Sequence, residues 1–282
     1  MLIVHGIAEL RQILHGWRLA GDRVAFVPTM GNLHAGHLSL IKAARCRADR
    51  VVVSIFVNPS QFSAGEDFES YPRTEKEDSE KLHAASVDLL FLPTVSEMYD
   101  PQARTVVSVI GLADLHCGAF RPGHFDGVAT VVSKLLNIVQ PDAAFFGLKD
   151  YQQFLIVQTM VHDLNIPVEI IPGETVREDN GLAMSSRNGY LSEQEKLTAA
   201  KLYCSLSDAR DAVLLNKSSY AEIEWRAQGF LTAAGFQVDY FSVCRDHDLM
   251  PAKPEDHNLV ILAAARLGKT RLIDNIRFSK YS

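Results

Sequence analysis

Short apolar runs alternate with longer amphipathic stretches through residues 1–175 of the chain. One run, VVVSIFV, is apolar at nearly every position, which is typical of a parallel strand that is covered on both faces. The predicted strands are 24–27, 51–57, 88–92, 143–146 and 167–171, and the predicted helices are 37–48, 74–85, 126–139 and 151–164. Alternating strands and helices indicate right-handed βαβ units. We therefore predict an α/β fold with a Rossmann-like open parallel sheet and helices on both faces.

The pattern changes after Gly173, where ETVREDNGLAMSSRNGYLS is polar and rich in turn residues. Two capping-box spacings follow, Ser192 with Glu195 and Ser219 with Glu222, and each predicts the start of a helix. The last part of the chain carries three short strand patterns, QVDYFSV, LVILAAA and RLIDNI. We predict a Rossmann-like domain over 1–175 and a smaller α+β domain over 176–282, with a hinge loop at about 174–191.

The composition argues against nucleic-acid-binding, membrane-spanning and secreted proteins. The chain has 282 residues, 47% of them hydrophobic, and a net charge of -6 without a dense run of Lys or Arg. That balance argues against a nucleic-acid partner, and no stretch approaches the ~20 apolar residues of a membrane span. The N-terminus does not read as a signal peptide, and the four cysteines are widely scattered. We expect a cytoplasmic protein with reduced thiols and no membrane partner.

The segment PTMGNLHAGHLSL places two histidines three positions apart, directly after the first predicted strand of the sheet. Amide groups at a helix start carry partial positive charge, and Gly31 and Gly36 allow backbone to approach a ligand closely. His34 and His37 could then donate hydrogen bonds to phosphate oxygens. Two alternatives stay open: structural histidines, and metal ligands without the third neighbour that a zinc site requires.

The segment FFGLKDYQQF repeats the order of strand, glycine and helix. Lys149 lies at the predicted carboxyl end of the strand, where ligands bind in open α/β sheets, and its ammonium could contact phosphate. Gln153 lies one helical turn later and could hydrogen-bond a substrate. The alternative is a solvated helix start with Asp150 as its N-cap.

The predicted hinge loop carries GLAMSSRNGYL. The hydroxyls of Ser185 and Ser186 and the guanidinium of Arg187 could clamp a polyphosphate. A loop at a domain boundary can also close over a reactive intermediate and exclude water. The alternative is a plain linker with an Asn-Gly turn.

Two further turns carry polar side chains. In VNPSQF, Asn58 and Gln61 follow a strand and could orient a small polar substrate with uncharged groups. In RPGHFDGV, Arg121 and His124 lie in a turn before a predicted helix. In both turns the alternative is that these side chains only satisfy the loop backbone.

Five segments together resemble one family, the pantoate–β-alanine ligases or pantothenate synthetases. In order they are PTMGNLHAGHLSLI, SIFVNPSQF, YPRT, RPGHFDGVATVVSKLLNIVQPDAAFFGLKDYQQ and GLAMSSRNGYLS. HAGH resembles the His-x-Gly-His signature of the wider nucleotidyltransferase superfamily. The resemblance implies that ATP adenylylates the carboxylate of (R)-pantoate and releases pyrophosphate. The amine of β-alanine then attacks the pantoyl adenylate, giving pantothenate and AMP.

The resemblance also implies roles for individual residues. His37, the usual proton donor of the family, together with His34, Lys149 and Arg187, would stabilise the charge that develops in the first step. ATP would contact Met30, Gly31, Asn32, Leu33, His34, Ala35, Gly36 and His37, then Gly147, Leu148, Lys149 and Asp150, and finally Val176, Met184, Ser185, Ser186 and Arg187.

Pantoate would be held by Gln61 and Gln153, with Asn58 close to the same pocket and Arg121 as a further substrate contact. Leu148 stands at a position that is often charged in relatives, as in FGEKD, and we expect this change to affect the rim of the pocket.

Glu77 and Asp78 fall where some relatives have acidic residues near magnesium, but Lys81 disrupts that pattern. We therefore expect no dedicated metal site in the protein, and Mg²⁺ that is carried with ATP and held by phosphates and water. The family further suggests a homodimer.

Two other functions are compatible with a His-x-Gly-His turn. An adenylyltransferase with a phosphorylated acceptor would call for additional basic residues, whereas the predicted pocket offers the neutral side chains of Asn58, Gln61 and Gln153. A non-catalytic nucleotide-binding module would not need both histidines, the lysine and the Ser-Ser-Arg loop together.

Overall fold

The computed structural model describes residues 1–63, 65–216 and 218–280. Its first part is a six-stranded sheet with the order β1-β4-β3-β2-β5-β6, in which every adjacent pair is parallel. The strands are β1 Leu2–Val4, β2 Val24–Thr29, β3 Arg50–Ile55, β4 Leu89–Phe91, β5 Ala143–Gly147 and β6 Glu169–Gly173. All five predicted strands are present, with ends shifted by at most two residues. Strand β1 was not predicted, because it has three residues and two of them are exposed.

Helices cover both faces of this sheet, as predicted. The helices of this part are α1 Ile7–Leu19, α2 Ala35–Arg45, α3 Glu75–Ala84, α4 Val95–Met98, α5 Cys117–Phe120, α6 His124–Val139 and α7 Tyr151–Asp163. Helices α1, α6 and α7 pack in one apolar cluster, and α2 and α3 pack in a second cluster on the opposite face. Within the described residues, no helix combines the length and apolar character needed to cross a membrane.

The order of strands contains a topological switch point between β2 and β5. From β2 the chain adds strands in one direction, to β3 and β4, and β5 with β6 then extends the sheet in the other direction. Strands β2 and β5 are parallel neighbours, with Ala25 opposite Ala143 and Phe26 opposite Ala144. The turns that follow their carboxyl ends therefore diverge above the sheet and leave a crevice, which is where ligands bind in such folds.

The second part of the chain is a smaller antiparallel sheet with the order β7-β8-β9. The helices of this part are α8 Glu193–Ala199, α9 Lys201–Leu214 and α10 Tyr220–Ala233, and the strands of the sheet are β7 Gln237–Arg245, β8 Asn258–Leu267 and β9 Thr270–Ser279. Ser192 and Glu195 form the predicted reciprocal capping box, whereas Ser219 caps α10 through the amide of Glu222 without the reciprocal bond.

The predicted hinge loop is tied to this second part. Leu182 and Leu191 are buried in the apolar cluster of the antiparallel sheet, and Arg177 pairs with the buried carboxylate of Asp274 at 2.6 Å. Arg177 also stacks over the ring of Tyr203, at 3.6 Å from the ring centroid. The boundary between residues 175 and 176 stays a prediction.

Candidate active site

The turn between β2 and α2 has a fixed and unusual backbone. Gly31 and Asn32 both adopt left-handed conformations, with φ of 81° and 50°. Helix α2 then begins at Ala35, two residues earlier than predicted, and His34 is its N-cap. Histidine is an infrequent N-cap, so the sequence did not indicate this start.

His34 and His37 cap the helix reciprocally. Nδ1 of His34 accepts the amide of Gly36 at 3.1 Å, and Nδ1 of His37 accepts the amide of His34 at 3.3 Å. The two ring centroids lie 4.1 Å apart. A neutral imidazole that accepts at Nδ1 carries its proton on Nε2. Each ring therefore has an Nε2–H donor that the helix cap does not use.

Both rings are neutral at physiological pH. Burial lowers the pKa of His34 to about 4, and the nearby ammonium of Lys149 acts in the same direction. Burial also lowers the pKa of His37 to about 3, with His34 as the next contribution. The histidines can accordingly donate hydrogen bonds to an anion, but they do not bring a positive charge to it.

Lys149 supplies a cation on the other side of the switch point. It follows β5 in a 3₁₀ turn, and its Nζ lies 3.6 Å from the carboxylate of Asp150. Asn275 of β9 donates to the backbone carbonyls of Leu148 and Lys149, both at 2.9 Å, and so links this turn to the second sheet. Asp150 occupies the N-cap position of α7, as the alternative predicted, but its side chain makes no capping hydrogen bond.

Leu148 does not lie at the rim of the pocket, contrary to our expectation. It is 3% exposed and belongs to the main apolar cluster. The 3₁₀ turn explains the difference, because it directs Leu148 into the core while Lys149 and Asp150 line the cavity.

The Ser-Ser-Arg loop is docked onto the histidine turn. Asn32 donates from its side chain to the carbonyl of Ser186, and the Ser186 hydroxyl donates to the carbonyl of Asn32, both at 3.2 Å. Ser185 accepts the amide of Arg187 and begins a 3₁₀ helix that runs from Ser186 to Tyr190. The alternative of a plain linker is therefore wrong for this loop.

The amide of Met184 donates to the carbonyl of Val176 at 2.9 Å, which brings the start of the loop beside its Ser-Ser-Arg segment. Arg187 is bidentate to Asp67, with both distances at 2.9 Å. Burial alone would lower the pKa of Arg187, but the hydrogen bonds to Asp67 and the charge of that carboxylate, with smaller contributions from Tyr71 and Asp150, together raise the pKa.

Gln61 lies at the end of the turn that follows β3. Its side-chain amide contacts the sulfur of Met30 at 3.0 Å and accepts a hydrogen bond from Asn58 at 3.1 Å. Asn58 itself is 1% exposed, and its oxygen also accepts from Ser60 and Tyr99. The geometry thus favours Asn58 as a support for Gln61, while its predicted contact with substrate stays a prediction.

Arg121 lies in the turn before α6 and is held by Glu66 and by His124, the first residue of that helix. It forms two contacts of 2.6 Å with Glu66 and one of 2.9 Å with His124. Burial lowers the pKa of His124 to about 4, and Arg121 reinforces that effect, so this ring is also neutral. Glu66 and Asp67 are adjacent in the chain and pair with the two arginines of the site.

Most of the predicted residues meet in one cavity of about 230 Å³. Those that line it are Met30, His34, Gly36, His37, Gln61, Arg121, Gly147, Lys149, Asp150, Gln153, Val176, Met184, Ser185, Ser186 and Arg187. Those that do not line it are Gly31, Asn32, Leu33, Ala35, Asn58 and Leu148.

A second cavity of about 840 Å³ lies between the start of α7 and the antiparallel sheet, and it shares seven lining residues with the first: Arg121, His124, Lys149, Asp150, Gln153, Ser185 and Arg187. The first cavity is smaller than typical ligand pockets, which occupy about 300–1,000 Å³, so a ligand of ordinary size bound beside the histidines would extend into the second. Within the described ranges, no group of three or more His, Cys, Asp and Glu residues is arranged to hold a metal ion.

Sequence reasoning missed the importance of Asp78. Its carboxylate is fully buried and accepts the amides of Asn32 and Leu33, both at 2.7 Å. One signal was available: Asp78 and Leu82 are spaced by four and share the buried face of an otherwise polar helix. The partners of Glu66 and Asp67 carried no comparable signal, because they depend on contacts between distant segments.

Comparison with known proteins agrees with this geometry. The model of the family described as pantoate-beta-alanine ligase matches residues 2–277. The chain is 53% identical to a pantothenate synthetase of Shewanella baltica over 97% of the chain and 98% of the relative. It is 55% identical to that of Methylobacillus flagellatus over 98% of both chains.

Two solved structures are also similar over nearly their whole length. The pantothenate synthetase of Thermus thermophilus has a TM-score of 0.93 at 45% identity, covering 100% of both chains. The pantoate-beta-alanine ligase of Francisella tularensis, described as complexed with beta-gamma ATP and beta-alanine, has a TM-score of 0.83 at 34% identity, covering 100% of this chain and 98% of that one. The chain belongs to the pantoate–β-alanine ligase family.

Proposed function

We propose that this ligase condenses (R)-pantoate with β-alanine in two steps within the joined cavities, at the expense of ATP. The observation that carries the proposal is the convergence of three donors at the switch point. The Nε2–H groups of His34 and His37 remain available in the cavity, and Lys149 lines the same cavity from the neighbouring strand. Hydrogen-bond donors fixed before the reaction are suited to stabilise charge that develops on a phosphate.

In the first step, a carboxylate oxygen of pantoate attacks the α-phosphorus of ATP. The bond from that phosphorus to the bridging oxygen breaks, and pyrophosphate leaves with the electron pair. The negative charge that develops on the phosphates would be met by His34 and His37 at the start of α2 and by Lys149. Because both rings are neutral, they act as hydrogen-bond donors and Lys149 supplies positive charge.

The Ser-Ser-Arg loop would complete the phosphate site. Ser185 and Ser186 line the cavity beside the histidines, and Arg187 lies at the border of the two cavities. In the structure Arg187 is paired with Asp67. We infer that the phosphates of ATP compete with this carboxylate for the guanidinium, since both are bidentate acceptors.

The neutral part of the cavity would receive pantoate. Gln61 and Gln153 line it, and the side chain of Asn58 donates a hydrogen bond to the side-chain oxygen of Gln61. In the second step, the amine of β-alanine attacks the acyl carbon of the adenylate, the bond to the phosphate oxygen breaks, and AMP leaves while the amine loses a proton. Arg121 also lines the cavity and is a candidate for the carboxylate of a substrate, which would replace Glu66.

Magnesium would enter with ATP. The residues described do not provide a set of carboxylates for it, and the carboxylate of Asp78 already accepts hydrogen bonds from two backbone amides. We infer that phosphates and water hold most of the coordination shell, as is usual for Mg²⁺ bound with a nucleotide. Binding of Mg²⁺ without nucleotide, measured by calorimetry, would contradict this inference.

Three further predictions accompany the proposal: the domain boundary near residue 176, a homodimer, and a cytoplasmic location. Limited proteolysis tests the first, light scattering at several protein concentrations tests the second, and cell fractionation tests the third.

The decisive test is the stoichiometry of products. With ATP, Mg²⁺, pantoate and β-alanine, the chain is expected to yield AMP, pyrophosphate and pantothenate in equal amounts. Formation of ADP and phosphate would contradict adenylylation, and activity only with a phosphorylated acceptor would indicate an adenylyltransferase.

A further inference from the structure

The turn that carries the histidines depends on support from outside itself. Gly31 and Asn32 have left-handed φ values of 81° and 50°, and such a conformation is unfavourable for a residue with a side chain. Successive amides in a turn of this kind point towards a common centre and form a small anion-binding concavity. In this protein a side chain occupies that position.

The occupant is the carboxylate of Asp78 from α3. Its Oδ2 accepts the amide of Asn32 at 2.7 Å, and its Oδ1 accepts the amide of Leu33 at 2.7 Å. The hydroxyl of Thr74 donates to Oδ2 at 3.0 Å. Lys81 donates to the carbonyl of Leu33 at 2.8 Å and lies 3.8 Å from Oδ1. The carboxylate is fully buried and has a charged or polar partner for each oxygen.

Two neighbouring residues show that this arrangement is specific. Thr74 is at the N-cap position of α3, yet its hydroxyl makes no cap and is directed to Asp78 instead. A Cβ at Gly31 would lie 3.2 Å from Oδ2 of Asp78 and 3.0 Å from Ile55. The approach of the carboxylate therefore contributes to the need for glycine at that position.

We propose that Asp78 is a positioning residue for adenylation, which fixes the backbone of Asn32 and Leu33 and thereby the orientation and tautomers of His34 and His37. It is not a ligand of the metal that ATP carries. The expected effect on adenylation rests on the proposed function, whereas the effect on the orientation and tautomers of the histidines does not. The connection is short, because the amide of His34 directly follows Leu33 and is the donor to Nδ1 of His37.

The position of Asp78 distinguishes a positioning residue from a metal ligand. Asp78 does not line either cavity. A metal ion bound to its carboxylate would have to compete with two hydrogen bonds of 2.7 Å from backbone amides. A magnesium ligand is expected to face the nucleotide and to keep waters around the ion. The observed carboxylate faces the protein backbone on both oxygens.

Asp78→Asn tests the proposal, with Glu77→Gln as the matched control on the exposed side of α3. The amide of asparagine can accept only one of the two N–H bonds and presents its own N–H groups to the other. The first readout is nitrogen-detected NMR of the histidine rings without any substrate. We expect His34 and His37 to show one tautomer, with the proton on Nε2, in the parent and in Glu77→Gln, and mixed tautomers in Asp78→Asn.

The second readout is the kinetics of pyrophosphate release as Mg²⁺ and ATP are varied. We expect Asp78→Asn to lower kcat by about 10–100-fold with an unchanged Mg²⁺ requirement; this is less than the ~100–1,000-fold of a deleted transition-state donor, because the histidines are displaced and not removed. A raised Mg²⁺ requirement with the tautomers intact would identify a metal ligand and overturn the proposal. Unchanged tautomers together with unchanged kinetics would overturn it as well.

If Asp78→Asn does not fold, Thr74→Val provides a milder change, because it removes one hydroxyl and keeps the carboxylate. We expect a smaller fall in kcat that Thr74→Ser restores, and no difference between these two variants would count against the proposal. The NMR readout is independent of substrate, so absence of pantoate-dependent pyrophosphate release in the parent would reject the proposed function and leave the positioning role to be decided by the tautomers.

Discussion

Helix α6 approaches the turn that carries Gln61 so closely that only glycine fits at the contact. A Cβ at Gly127 would lie 2.4 Å from the carbonyl oxygen of Ser60 and 2.8 Å from Cα of Gln61. The carbonyl of Gly127 also accepts from Asn58 at 3.1 Å. The obstructing atoms belong to the backbone, so a change of side-chain rotamer cannot relieve the overlap.

Gly127→Ala should therefore separate the helix from the turn by roughly 1 Å, the shift that restores an ordinary contact distance. Overpacking of this kind costs about 1–3 kcal/mol, against a gain of about 1 kcal/mol from helix propensity. We expect a net loss of up to about 2 kcal/mol in the free energy of unfolding. Because a displacement of about 1 Å can cost ~100-fold in rate, kcat/KM for pantoate should fall by about 10–100-fold.

Gly16→Ala in α1 is the matched control, since within the described residues no heavy atom outside the adjacent backbone of the helix lies within 4 Å of an added Cβ. This change should raise the free energy of unfolding by about 0.5–1 kcal/mol and leave the kinetics unaltered. Denaturant unfolding and pantoate-dependent pyrophosphate release measure the two effects. If Gly127→Ala behaved like Gly16→Ala in both assays, close packing of α6 would not be what positions Gln61.

The remaining predictions concern the site itself. His37→Ala and Lys149→Ala should each lower the rate of pyrophosphate release by about 100-fold or more, and full release in either variant would reject that residue's role. Lys149→Ala should have little effect on unfolding, whereas His37→Ala also removes the acceptor for the amide of His34 and should cost about 0.5–2 kcal/mol in the free energy of unfolding. Gln61→Ala should raise KM for pantoate more than KM for ATP, and an equal effect on both would reject the pantoate pocket. Burial lowers the pKa values of His34 and His124 to about 4 and that of His37 to about 3, so the unfolded chain binds more protons than the folded chain below pH 6.5. Stability present above pH 6.5 should thus be lost as pH falls towards 4, by up to about 1.4 kcal/mol per pH unit for each histidine, and a flat profile of unfolding free energy over that range would contradict neutral buried rings.

The parallel sheet could be predicted from sequence because its central strands are apolar on both faces. The run around β3 has no polar alternation, and glycine-bearing turns follow β2 and β5. Once those strands were recognised, the carboxyl edge of the sheet indicated where His37 and Lys149 would meet. Topology alone therefore predicts where the candidate site lies.

The details that could not be predicted depend on contacts between distant segments. The 3₁₀ turn after β5 turns Leu148 into the core, and its neighbouring carbonyls are held by Asn275, which lies far along the chain. The helix start at Ala35 depends on two histidine side chains that act as caps. Asp78 is a polar residue in a polar helix, and its role appears only when α3 packs beside the histidine turn.

The central claim is that the protein forms an enzyme-bound adenylate before β-alanine reacts. Rapid mixing of the protein with ATP, Mg²⁺ and pantoate, without β-alanine, measures this directly as pyrophosphate released per active site. The account predicts a burst of about one equivalent, which becomes continuous turnover when β-alanine is added. Release of pyrophosphate only in the presence of β-alanine, although ATP and pantoate are bound, would contradict it.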